Sequence, residues 1–266
     1  MKKIAKFFNR HPLAYFIRYI LMSENVKKND LGDLGCFNNC NSLASIPTLY
    51  FEINTKIGID SSSDEYDKAL QIGKYLRSTM KGGPGIGLSS QETLEKMLAN
   101  KGGVCSDFSQ IFNIFCFINN IKVKEWGCID RFYKTQFGHS FNEIYSSDKQ
   151  KWVAIDIHKG IVFTDNTGSP LSVVELFLTL RSGNHVNFTH YSDYVSPDHD
   201  RTPRVYAPYT IPFIISNNKN DVTDFYFEKY QNILSPILIN SLILLRRKNH
   251  KFLFVMDDYK AKLRSK

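Results

Sequence analysis

The chain has 266 residues, of which 42% are hydrophobic and 23% charged, so it can bury a substantial core and has ordinary globular composition. Its formal charge is +8, but residues 1–28 and 246–266 each carry +6, which leaves the middle, 29–245, at −4. That distribution, with no nucleic-acid-binding signature, excludes a nucleic-acid-binding domain and describes a mildly acidic body with basic ends.

Five cysteines at 36, 40, 105, 116 and 128 form neither a disulfide framework nor a paired zinc pattern. Reduced thiols, and the lack of a cleavage site after the basic start, lead to the expectation of a cytoplasmic protein. Basic ends with interleaved Phe7, Phe8 and Ile233 to Leu245 add an expectation of weak peripheral contact with anionic membrane, at its inner face.

In chain order, residues 1–28 read as basic amphipathic helix, and 29–63 as loop with one strand-like piece, Leu49 to Ile53. Asp64 to Met80 has helical spacing. Lys81 to Gly87 then holds four glycines and a proline but lacks the Gly-Lys-Ser/Thr ending of a phosphate loop. Ser89 to Leu98 is a short helix, and Gly102-Gly103-Val104-Cys105-Ser106-Asp107 opens a longer one. Its apolar residues run nearly all round, at Phe108, Ile111, Phe112, Ile114, Phe115, Cys116, Phe117 and Ile118, so it is central. Cys105 falls at its N-terminus, where unpaired N–H groups and the helix dipole favour a thiolate.

Three strands are expected next, over Lys122 to Asp130, Gly138 to Tyr145 and Trp152 to His158. Alternation places His139 and Phe141 on one face of the second, and Ala154 and Asp156 on one face of the third. A Ser146 to Lys149 turn would pair Tyr145 with Gln150, and hence His139 directly with Asp156. Beyond Gly160, helices are expected at Leu171 to Arg181 and 222–245, and a strand at Phe252 to Met256. His158 should face the same way as Asp156. His185, His190 and His199, with Asp193, Asp198 and Asp200, read as a polar loop over the mouth of the site and not as a metal centre.

A helix-start thiol, a strand histidine and a neighbouring carboxylate are the nucleophile, base and orienter of thiol acyl transfer. Gly-Gly-Val-Cys, then Gly-His-Ser-Phe-Asn-Glu-Ile-Tyr 34 residues on, then Trp-Val-Ala-Ile-Asp after 17 more, resembles the transglutaminase-like superfamily over about residues 64–160. That family's pattern is Gly-x-Cys, His-Ala-Trp-x-Glu-Val and Trp-x-x-x-Asp, and Phe141 stands where its Trp usually does. The resemblance implies Cys105 as nucleophile, His139 as base and Asp156 as orienter, without metal or cofactor. The Cys105 N–H is one implied oxyanion donor, with Asn100 or Gln91 as candidates for a second.

The expected fold is α+β with a papain-like core: the cysteine helix packed on an antiparallel sheet, with helical N- and C-terminal extensions. The expected division is an N-terminal extension over 1–63, a catalytic core over 64–165 and a C-terminal extension over 166–266. The expected function is a peptidase, amidase or transglutaminase-type transferase acting on a peptide, protein or other amide. The competing reading is a catalytically idle binding or scaffold protein in a surface-glycan pathway.

Overall fold

The computed structural model describes residues 17, 19–27, 31–129, 138–193, 202–259 and 261. Residues 1–16, the last residues of the basic tail, and His199, Asp198 and Asp200 lie outside these residues; where the start is described, Ser23–Asn25 is a strand and not part of the helix expected over 1–28.

The helices in chain order are α1 (Thr48–Ile57), α2 (Glu65–Thr79), α3 (Ser90–Leu98), α4 (Cys105–Ile118), α5 (Val173–Arg181), α6 (Thr202–Val205), α7 (Asn220–Tyr230) and α8 (Pro236–Leu245). The strands are β1 (Ser23–Asn25), β2 (Val123–Ile129), β3 (Gly138–Ser146), β4 (Lys151–Asp156), β5 (Ile161–Thr164), β6 (Asn187–His190), β7 (Ile211–Ser216) and β8 (Lys251–Phe254). They form one sheet in the order β1-β8-β7-β2-β3-β4-β5-β6, antiparallel except where β1 meets β8. Segments before residue 64 and after residue 166 therefore contribute strands to the same sheet as the middle of the chain.

Alternation along the central strands sorts two cores. Val123, Ile144, Val153, Ile155 and Val162 join Phe108, Ile111, Phe112 and Phe115 of α4, with α1 to α3 packed around that helix. Trp126, Phe141, Ala154, Ile161 and Phe163 face the other way, onto Val173, Leu176 and Phe177 of α5. A strand that buries both faces loses its polar alternation, and all seven residues of β2 are buried.

Two expectations are corrected. Leu49 to Ile53 is not a strand but part of α1, which buries Tyr50 and Ile53 three apart, after Pro47. The helical stretch 222–245 is two helices, because Pro236 starts α8 and disfavours helical backbone at Ser235.

The glycines before α4 have a constructive role. Gly83 N–H donates to the Gly103 carbonyl and Gly103 N–H to the Pro84 carbonyl, both at 2.8 Å, which clasps the two glycine runs together. Gly102 sits at φ +144°, and a Cβ there would lie 2.5 Å from the Pro84 carbonyl oxygen. Only glycine allows both the conformation and the approach. Gly102→Ala is expected to destabilise the protein by about 1–3 kcal/mol, read as a lowered denaturation midpoint in urea; an unchanged midpoint would show that the clasp carries no stability.

Candidate active site

The clasp leads through Val104, in extended conformation, into Cys105 as the first residue of α4. Asp107 holds this junction. Its Oδ2 accepts from Val104 N at 2.9 Å and from Ile86 N at 3.2 Å, tying the glycine loop to the first helical turn. Burial raises the Asp107 pKa, and the backbone donors offset part of that rise.

His139, on β3, is 8% exposed, and Asp156, the last residue of β4, is fully buried. His139 Nε2 lies 2.7 Å from Asp156 Oδ2. Cys105 is the second group that acts electrostatically on the imidazole, and both side chains line the same cleft. Two further donors hold Asp156: Tyr206 OH reaches Oδ2 at 2.7 Å, and Lys159 N reaches Oδ1 at 2.9 Å. The His139 ring stacks beside Phe141 at 6.3 Å and meets Tyr206 edge-on at 6.0 Å, so its plane is fixed by packing as well as by the acid.

The expected strand register needs correction. Tyr145 pairs with Trp152 and Ser146 with Lys151, so the turn is Ser147 to Gln150, with Gln150 at φ +52°. This is a two-residue shift. It places Tyr145 against Trp152, with rings 5.6 Å apart, and sets buried Ile144 opposite buried Val153 where the expected register would set it opposite Lys151. Because the shift is even, His139 and Asp156 keep the same face but meet diagonally.

Burial opposes a charged His139, but the carboxylate of Asp156 and the sulfur of Cys105 outweigh it and raise its pKa to about 10. Burial would likewise raise Asp156, yet the imidazolium and the donors hold its carboxyl well below the usual range. Asp156 therefore stays ionised.

Cys105 and His139 open onto a cleft of about 870 Å³. Its far wall comes from the C-terminal third of the chain, including Phe213, Asn218, Asn220 and Asp224. On its floor is Glu125, 2% exposed, on β2. Gln110 Nε2, Asn113 Nδ2 at 3.4 Å and Asn218 Nδ2 at 3.3 Å all donate to Glu125 Oε2. Asn113 is itself held by Asn142 Nδ2 at 2.8 Å. Burial, first of all, pushes the Glu125 carboxyl up to about 8 against these donors.

Asn100 and Gln91 do not line the cleft: Asn100 Oδ1 accepts from Lys81 N at 2.8 Å, and Gln91 Nε2 donates to Glu95 at 3.0 Å. His158 lies in the turn after β4, its ring 5.9 Å from His139, where its charge also helps to lower Asp156. His185 and His190 do not line the cleft, and His190 belongs to β6.

Three contributors escaped the sequence reading. Tyr206 lies in an irregular passage without periodicity. Asp107 read only as a first-turn residue. Glu125 had a usable signal, a carboxylate in an otherwise buried strand, matched by Gln110 and Asn113 three apart on an apolar helix.

Residues 54–157 match the family model of the transglutaminase-like superfamily, a segment that contains Cys105, His139 and Asp156. A comparison with curated proteins finds no match. The matched family has a papain-like fold and includes cysteine enzymes, in keeping with a helix-borne thiol set against an antiparallel sheet. Among the described residues, no helix is long and apolar enough to cross a membrane.

Glu125 makes a pH test. Between its ordinary pKa, 4.5, and about 8, the folded state keeps a proton that the unfolded state releases, so stability falls as pH rises through that window. Glu125→Gln retains an acceptor for the three amide donors and removes the titrating proton. The melting temperature of the variant, relative to the parent, is expected to climb between pH 5 and pH 8.5; a difference constant across that range would contradict it.

Proposed function

We propose that the protein is a cysteine-dependent acyl-transfer enzyme that acts on an amide through a thioester at Cys105. The observation that carries this reading is the His139 Nε2 to Asp156 Oδ2 contact of 2.7 Å, on an imidazole that shares its cleft with a helix-start thiol and feels its charge.

In this reading Nδ1 of His139 takes the thiol proton, and the sulfur attacks the amide carbon. The first-turn N–H groups of α4, Cys105 among them, have no intrahelical acceptor and would donate to the oxyanion. The imidazolium then gives its proton to the departing nitrogen, the C–N bond breaks and an amine leaves. Neutral imidazole next takes a proton from water, whose oxygen attacks the thioester; the C–S bond breaks, a carboxylic acid leaves and the thiol is restored. An amine in place of water would give a new amide, so hydrolysis and transfer share the same residues. Asp156 orients the ring and stabilises the imidazolium in both halves.

The test is mass spectrometry of protein incubated with a chloromethyl ketone peptide library, followed by turnover assays on the peptides captured. Modification of one residue, Cys105, is expected. Cys105→Ala should abolish turnover and leave the melting temperature almost unchanged, since the half-buried thiol packs little. Asp156→Asn should reduce turnover by about 10²–10³, less than the loss of about 10⁴ for the acid-to-amide change in a serine-type triad, because a thiol is the more acidic nucleophile. It should also cost stability, on the order of 1–3 kcal/mol, because three donors converge on this fully buried carboxylate and one would meet an amide N–H. Failure of Cys105 to be modified, with the fold intact, would instead favour a non-catalytic binding protein.

A further inference from the structure

The cleft holds a second polar centre that acyl transfer at Cys105 does not use. All three amide donors to Glu125 converge on Oε2. Among the described residues no hydrogen bond reaches Oε1, and that oxygen is not sealed off from the cleft. A carboxyl group 98% buried, with one oxygen fully served and the other open to a cavity, is built to receive a partner.

The sign of that partner follows from the walls. The described lining residues include the carboxyls of Asp107, Glu125 and Asp224, two histidines (His139, whose charge Asp156 pairs, and His250) and no lysine or arginine, in a chain whose net charge is +8. Asp107 is occupied by backbone N–H groups at the α4 junction, and Asp224 by Ser90 N at 2.7 Å and by the Ser90 hydroxyl. Asp224 is served at both oxygens and Asp107 is spent on tying the glycine loop to the helix, whereas Glu125 presents an unoccupied oxygen beside one that three amides serve. Gln110, one of its donors, lies five residues along the helix from Cys105, a rise of about 7.5 Å. Glu125 and Cys105 line the same cleft, so one extended substrate can reach both.

We propose that Glu125 is a specificity residue that selects substrates bearing an ammonium group, bound at Oε1 across the cleft from Cys105. The proposal rests on the thioester reading of Cys105 for its placement but not for its chemistry. As the ammonium docks, the carboxyl releases its proton to solvent and becomes the counter-ion, while the donors on Oε2 support the charge that forms. Burial of an unpaired carboxylate is costly, and pairing with a cation removes most of that cost.

Two measurements separate this idea from the reading beneath it. The first compares second-order rates of Cys105 alkylation by N-(3-aminopropyl)chloroacetamide and by the neutral N-butylchloroacetamide. The cationic reagent is expected to react about tenfold faster, as one charged hydrogen bond provides. Glu125→Gln should abolish the preference while leaving the neutral reagent's rate within about twofold. Equal rates for the two reagents on the parent protein would overturn the ammonium site and leave the nucleophile standing. The second is calorimetric titration of n-pentylammonium and n-pentanol into Cys105→Ala, which needs no reactive thiol. Ammonium binding weakened about tenfold by adding Glu125→Gln is expected; equal affinity for the alcohol, or indifference to Glu125→Gln, would overturn the proposal even if Cys105 proved unreactive.

Discussion

The arrangement depends on one buried carboxylate. Asp156 ends a central strand, fully excluded from water, where an isolated charge would cost several kcal/mol. The protein meets that cost with three donors from three places: an imidazole on the neighbouring strand, a backbone N–H in the next turn, and a phenol from the irregular passage before β7. Each donor makes the anion tolerable, and the anion orients each donor. The His139 plane, the turn after β4 and the position of Tyr206 are thereby one problem with one solution. Phe141 and Phe163 pack against the Tyr206 ring at 5.4 and 4.7 Å and close the solution from behind.

The thiol arrives by a separate route. Its placement depends on backbone, through glycines that bring two chain segments within hydrogen-bond distance, and on Asp107, which pins the loop to the helix. Core packing of α4 then sets the rest of the helix against the sheet. A rigid apolar helix body with a polar, hydrogen-bonded first turn is a suitable way to aim one side chain, because the aim is fixed over the full length of the element.

The family match ends at residue 157, yet the site does not. Tyr206, Phe213, Asn218 and Asp224 come from beyond it and form the support of the acid and much of the far wall. The later chain joins the same sheet through β7, which pairs with β2, the strand that carries Glu125. The matched segment carries Cys105, His139 and Asp156, and the remainder shapes the cleft around them.

Much of this was legible in the residues alone. The apolar periodicity of α4, the glycines before Cys105 and the alternation in β3 and β4 depend on local geometry, which the order of residues dictates directly. They place a thiol at a helix start, and a histidine and an acid on a common face. Register was only half legible: alternation decides the face, but the choice between two even registers was made by Tyr145 against Trp152 and Ile144 against Val153, contacts that turn chemistry does not encode. Leu49 to Ile53 misled because a short apolar run carries no period long enough to distinguish strand from helix. Tyr206 and Glu125 could be assigned only in three dimensions. Tyr206 meets Asp156 across 50 residues of chain, and the open oxygen of Glu125 exists only because α4, β2 and the segment before α7 converge, a long-range closure that leaves no local pattern in the sequence.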